Sequence, residues 1–196
     1  MPEVTADISI TLDGYASGRG QSAENPFGDL DADRLHAWQF DHRAENSGEA
    51  GAITGAGAYV MGRNMFGPDR GEWDLDWKGW WGPDPVYHAP VFVLGHRPRP
   101  SVEMEGGTTF HFVTDGIEAA LARAREAAGE KRVSIAGGPG TLNQYLAAGL
   151  VDELRLHVAP FVAGGGERLF VDTPGLGLTP VSSRTTPHVT HLVYRR

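Results

Sequence analysis

"SIAGGPGTLNQYL", residues 134–146, joins an apolar run to a helix-like one through Gly137, Gly138, Pro139 and Gly140. The run before it, RVSIA, predicts a strand. TLNQYLAAG predicts a short helix with Leu142, Tyr145 and Leu146 inward and Gly149 as its stop. A strand handing over to a helix is the repeating unit of an α/β layer fold. In such sheets ligands collect beyond the carboxyl ends of the strands. A helix N-terminus offers unpaired N–H groups and a partial positive charge, and glycine lets an anion approach the backbone. The stretch therefore predicts a phosphate cradle over 138–141, or else a turn whose glycines serve only its own φ angles. It is neither the dinucleotide fingerprint nor a P-loop, since the third glycine and the lysine of those motifs are missing.

Other segments extend the alternation. VTADISITLDG places Ile8, Ile10 and Leu12 at period two and predicts a strand ending at Asp13-Gly14. Residues 15–28 lack periodicity and predict a long loop, and long loops in compact domains are often functional. DADRLHAWQFDHRAE places Leu35, Trp38 and His42 at helical spacing, with Asp31 or Asp33 as cap. Strands are predicted at 58–61, closed by Gly62, at 91–94 before the turn Gly95-His96-Arg97, and in TTFHFVT. Residues 67–89 hold four of the five tryptophans between glycines and prolines and predict an ordered, irregular excursion. DGIEAALARAREAAGE predicts a helix with an Asp115/Glu118 capping pattern and Gly129 as C-cap. DELRLHVAPFV predicts a strand with Leu154, Leu156 and Val158 on one face, and residues 178–196 predict a hairpin.

Helices and strands alternate in the middle and strands dominate the end, so the fold class is α/β, with a mostly parallel central sheet and an antiparallel C-terminal edge. No composition break divides residues 1–196. The chain has no cysteine, which excludes disulfides, thiolate metal sites and a cysteine nucleophile. A formal net charge of -8 argues against nucleic-acid and anionic-membrane partners. No apolar run is long enough to span a bilayer and the first residues do not read as a signal peptide, so a cytoplasmic location is expected. The histidines are scattered; His188 and His191 fall on opposite faces of a strand, and no metal site is expected.

SIAGGPGTLNQYLAAGLVDELRLHVAPFVAGGGERLF (134–170) resembles the C-terminal reductase domain of the bifunctional riboflavin-biosynthesis deaminase–reductase and the wider dihydrofolate-reductase-like superfamily. ISITLDGYASG, YVMGRNMFG, GWWG and VFVLGHRPRP resemble it too, in the same order, so the likeness spans nearly the whole chain. The resemblance implies a three-layer α/β/α sandwich, a small-molecule substrate, bound NADPH and a homodimer joined through the C-terminal strands. It implies pyrophosphate contacts at Gly137 and Gly138, with Pro139, Gly140, Thr141 and Leu142 beside them. Further phosphate contacts fall on Gly62, Arg63 and Asn64, where Met65 replaces the family's hydroxyl residue. His96 and Arg97 fall where such reductases reach the adenosine 2′-phosphate, and an arginine fork suits that dianion.

The chemistry implied is hydride transfer to an electron-poor C=N or C=O, with the cofactor supplying the hydride and the protein supplying position. The nicotinamide is expected near Asp13, Gly14 and Tyr15, with Asp13 as candidate acid. Trp80 and Trp81 are expected as a flat wall for a heterocyclic, ribosylaminopyrimidine-type substrate. The alternatives are a nucleotide-binding module without catalysis and a reductase of dihydrofolate or another small carbonyl or imine compound.

Overall fold

Short apolar runs rich in β-branched residues become neighbouring strands. A computed structural model describes residues 1–68 and 70–196. The strands are β1 (Val4–Thr11), β2 (Tyr15–Ser17), β3 (Ala58–Gly62), β4 (Pro90–Leu94), β5 (Val102–Glu103), β6 (Thr109–Val113), β7 (Val133–Gly137), β8 (Glu153–Ala159), β9 (Glu167–Arg168), β10 (Thr179–Thr186) and β11 (Val189–Arg195). The helices are α1 (Ala32–His36), α2 (Ser47–Ile53), α3 (Arg63–Phe66), α4 (Ile117–Ala128) and α5 (Pro139–Ala147).

Nine strands form one sheet in the order β10-β11-β8-β1-β7-β3-β4-β6-β5. From β8 to β6 every neighbouring pair is parallel. The β10–β11 hairpin and β5 add antiparallel edges at opposite ends. Because the central strands run the same way, Thr11, Gly137, Gly62 and Leu94 all end on one edge of the sheet.

One face packs against α4 and α5: Ala120, Leu121, Ala124, Leu142, Tyr145 and Leu146 meet Ile8, Val60, Ile135 and Leu156 in the largest core cluster. The other face carries α1, α2 and α3 and the tryptophan-rich excursion, through Leu35, Trp38, Ala50 and Phe66. A three-layer α/β/α sandwich results. Among the described residues no helix is long and apolar enough to cross a membrane.

Three local expectations are corrected. The helix after the first loop is only one turn, capped by Asp31, whose side chain accepts from Arg34 N; a second helix, α2, follows. The Asp115/Glu118 cap does not form, because Gly116 is the N-cap at φ 91° and Asp115 pairs instead with Arg123. Gly14 does not lead straight into loop: β2 pairs with β9, so Tyr15 lies opposite Arg168. Strand β8 is covered on both faces, and its polar residues Glu153, Arg155 and His157 are buried or partly buried.

Candidate active site

At the carboxyl edge, β7 lies between β1 and β3, and its glycine turn starts α5. No side chain caps α5, and Pro139, its first residue, has no N–H to leave unpaired. Gly137 has φ 117°, a conformation that favours glycine, and its peptide bond to Gly138 is cis. Gly138 differs. Its φ of -65° and ψ of -174° suit any residue, and a Cβ built there meets no atom within 4 Å. A Cβ at Gly140 also meets nothing within 4 Å. Apart from the adjoining backbone nothing crowds a side chain at 138 or 140, so glycine preserves open space there beside the uncapped start of α5.

The β3 side of this space closes tightly. A Cβ at Gly62 would lie 2.2 Å from Thr141 Oγ1, so glycine there lets the start of α5 meet the end of β3. Met65 stands over the turn, its sulfur 3.6 Å from where a Gly137 Cβ would be. Arg63 follows at once, with its guanidinium 3.8 Å from the Trp73 ring centre and donating to the Gly71 and Glu72 carbonyls at 2.7 and 3.1 Å. At the next turn His96 and Arg97 are exposed. Arg97 is ion-paired with Glu72, and its carbonyl accepts from Trp73 Nε1 at 3.0 Å.

On the β1 side, Gly14 has φ 88° and its carbonyl accepts from Leu169 N at 2.9 Å. The loop beyond β2 crosses toward β3: Gln21 Nε2 donates to the Asn64 carbonyl at 2.8 Å. Since β7 lies between β1 and β3, this loop bridges the two sides of the glycine turn. From α5, Asn143 holds the facing segment, donating to the Arg168 carbonyl and accepting from Phe170 N.

The structure thus gathers Gly14, Gly62, Arg63, Asn64, His96, Arg97, Gly137, Gly138, Pro139, Gly140 and Thr141 along one edge of the sheet. Four other predicted site residues are placed differently. Leu142 is fully buried in the core under α5, so it can face the crevice only through its backbone. Trp81 roofs the distal half of the sheet, stacked on Phe110 at 5.6 Å and edge-on to Tyr87, while Trp80 meets Trp77 edge-on. Packing satisfies the Trp81 ring. Asp13 is a brace: it accepts from Thr11 Oγ1 at 2.6 Å, Ala163 N at 3.0 Å and Gly164 N at 2.8 Å. The Thr11 hydroxyl, helped by those amides, holds its carboxyl down to about 2, so it has no proton to give near neutrality.

Sequence reasoning missed a buried polar seam on the face under α1 and α2. Asp7 on β1 lies opposite Arg155 on β8, and Ser9 lies opposite His157, which lies opposite His191 on β11. Trp38 covers them, with its ring 4.3 Å from that of His157 and its Nε1 donating to Ser9 Oγ at 3.1 Å. The geometry fixes the proton order. Asn46 Nδ2 donates to the Trp38 and His42 carbonyls, so Asn46 Oδ1 is the acceptor that Arg184 Nη2 and His191 Nε2 share. Burial, and His157 beside it, push His191 down to about 4, so near neutrality it is neutral with its proton on Nε2. Its bare Nδ1 must then accept from His157 Nδ1, 2.7 Å away. His157 Nε2 lies 3.8 Å from Asp7 Oδ1, and Arg155 Nη1 lies 3.6 Å from the same oxygen. A cavity of about 420 Å³ opens beside this seam, with Arg155, His157, Arg184 and His191 in its wall.

Comparison with known proteins agrees with this fold. Residues 2–192 match the family model described as the RibD C-terminal domain. A Bacillus subtilis (strain 168) protein, YyaP, is 33% identical over 203 residues, covering 97% of this chain and 93% of that protein. A putative riboflavin biosynthesis protein from Shewanella sp. PV-4 superposes with a TM-score of 0.65 at 22% identity, covering 99% of this chain and 98% of the other. Dihydrofolate reductase from Enterococcus faecalis, complexed with NADP(H) and RAB-propyl, superposes with a TM-score of 0.61 at 15% identity, covering 99% and 96%.

Proposed function

The chain belongs to the RibD C-terminal domain family, and from that premise we propose that it is an NADPH-dependent reductase of a heterocyclic, ribosylaminopyrimidine-type substrate of riboflavin biosynthesis. The observation that carries the reading is the space kept at Gly138 and Gly140, where a Cβ meets nothing beyond the adjoining backbone. The residues fit a dinucleotide. The amides of Gly138 and Gly140 suit its pyrophosphate, Arg63 and Asn64 flank them, and His96 and Arg97 suit the adenosine 2′-phosphate. When bound, the reduced nicotinamide supplies the hydride to a C=N or C=O carbon of the substrate.

This chain's own part is placement. Asp13 braces the backbone of 163–164 at the end of β1. Gly14 and the Gln21 bridge set the wall that the nicotinamide end meets. The bridge from Gln21 to the Asn64 carbonyl spans the carboxyl edge beside it. A binding module without turnover is the second reading, favoured by the braced, proton-free Asp13.

Calorimetric titration with NADPH and NADH tests the cofactor. Arg97→Ala should weaken NADPH at least tenfold and leave NADH nearly unchanged, since a charge-assisted phosphate contact is worth about 1.5–3 kcal/mol. Equal losses for both dinucleotides refute the assignment. Oxidation of bound NADPH by a ribosylaminopyrimidine phosphate, tested beside dihydrofolate and simple carbonyl compounds, separates enzyme from module.

A further inference from the structure

Arg97 does not wait with an open fork. The excursion after α3 brings Glu72 against it, and the two form an ion pair. Glu72 is held there by its neighbours. Trp73 lies between the guanidinium groups of Arg63 and Arg99, at 3.8 and 5.4 Å from its ring centre. Its Nε1 donates to the Arg97 carbonyl, and its Cζ2 lies 3.5 Å from where a Gly95 Cβ would be. Arg63 also grips the Gly71 and Glu72 carbonyls. The carboxylate therefore stays near the turn even when its ion pair opens.

We propose that Glu72 is a built-in competitor for the adenosine 2′-phosphate, so that it sets how strongly this chain prefers NADPH to NADH. The inference rests on the cofactor reading above. A carboxylate fills the position beside Arg97 that the 2′-phosphate would take, and the dianion must displace it. The displacement is cheap: the side chains of Arg97 and Glu72 are 50% and 82% exposed, and solvent-exposed ion pairs are weak. After displacement the carboxylate remains close to the phosphate and repels it. NADH carries only a ribose hydroxyl at that position and meets no such repulsion.

The test is titration of the wild type and Glu72→Gln with 2′,5′-ADP, 5′-ADP, NADPH and NADH, read by calorimetry and by tryptophan fluorescence. Glu72→Gln should bind 2′,5′-ADP and NADPH about two- to fivefold more tightly at low salt, the range expected from losing one exposed charge interaction. Affinity for 5′-ADP and NADH should not rise. The gain should shrink with added salt, and it should be smaller in an Arg97→Ala background, where only the direct repulsion of the phosphate is left to relieve. Equal affinity of wild type and Glu72→Gln for 2′,5′-ADP, with NADPH binding intact in both, overturns this inference alone. Failure of both proteins to bind NADPH overturns the cofactor reading, and this inference with it.

Discussion

Two residues four positions apart at the start of α5, Gly138 and Leu142, do different work, and a substitution at each should show it. Gly138 has an ordinary backbone conformation and open space where its side chain would be. Gly138→Val should therefore leave the domain folded, at a cost of about 0.5–2 kcal/mol for exchanging glycine for a poor N-cap residue. The same change should abolish dinucleotide binding, because a branched side chain would stand on the amides. Denaturant unfolding and calorimetry on one preparation check both halves; a variant that still binds NADPH assigns the glycine to the turn alone. Leu142 gives the contrast. Fully buried among the α5 core residues, its replacement by alanine should cost about 2–5 kcal/mol.

His191 adds a pH dependence. An unfolded imidazole titrates near ~6.5, whereas folding holds this one down to about 4. Between those values the unfolded chain binds a proton that the folded one refuses, so stability must fall as pH drops from about 6.5 to about 4. Thermal midpoints across that window should fall less steeply for His191→Gln than for the wild type. An unchanged slope would remove His191 from the account.

Among the elements, the junction of β3 and α5 is the tightest. Gly62→Ala puts a methyl 2.2 Å from Thr141 Oγ1 and must move backbone or the threonine. Overpacking of this kind costs about 1–3 kcal/mol. A Thr141→Ser partner, which keeps the oxygen, should recover less of it than Thr141→Ala, and a double-mutant cycle in urea reads the difference.

At this scale the sequence was legible wherever an element carried its own signal. Strands β1, β3, β4, β6, β7 and β8 have apolar runs of their own, and α4 and α5 have apolar stripes with glycine stops. Helix α2 was not legible, because SGEAGAI carries two glycines and is held by Ala50 and Ile53 against Trp38 and Val189. Strands β2 and β9 exist only as each other's partners. The Asp115/Glu118 signal misled because Gly116 enters with positive φ and takes the capping position. The polar seam failed for a more general reason. Alternation along β8 marks Leu154, Leu156 and Val158 as one face and Arg155 and His157 as the other. Only the three-layer arrangement tells that this second face is also covered. Of the crevice, the glycine turn and the arginine turns could be read. The brace role of Asp13 depends on residues 150 positions away, which no local pattern announces.

For the molecule as a whole, a dinucleotide that binds only the folded state must raise its stability by mass action. At one hundred times its dissociation constant NADPH should add about 2.7 kcal/mol. For a chain of this size that is about 5–10 °C in the melting midpoint. A midpoint indifferent to saturating NADPH would contradict the cofactor reading without any appeal to turnover. Assembly follows from the sheet's edge. Strand β10 is exposed along nearly its whole length and borders the sheet, its outer backbone groups facing no other strand among the described residues. We propose it as the seam of the homodimer that the family resemblance implies; a monomeric mass by light scattering dismisses it.

The loop that leaves the first strand reaches the third strand's turn through one carboxamide, Gln21 on the Asn64 carbonyl. A doorway with so slight a latch can be unhooked without disturbing its frame. Gln21→Ala should quicken both arrival and departure of the dinucleotide while leaving its equilibrium affinity within about threefold, the narrow span over which one exposed hydrogen bond acts. Where coenzyme release limits the cycle, such a protein would turn over faster than its parent.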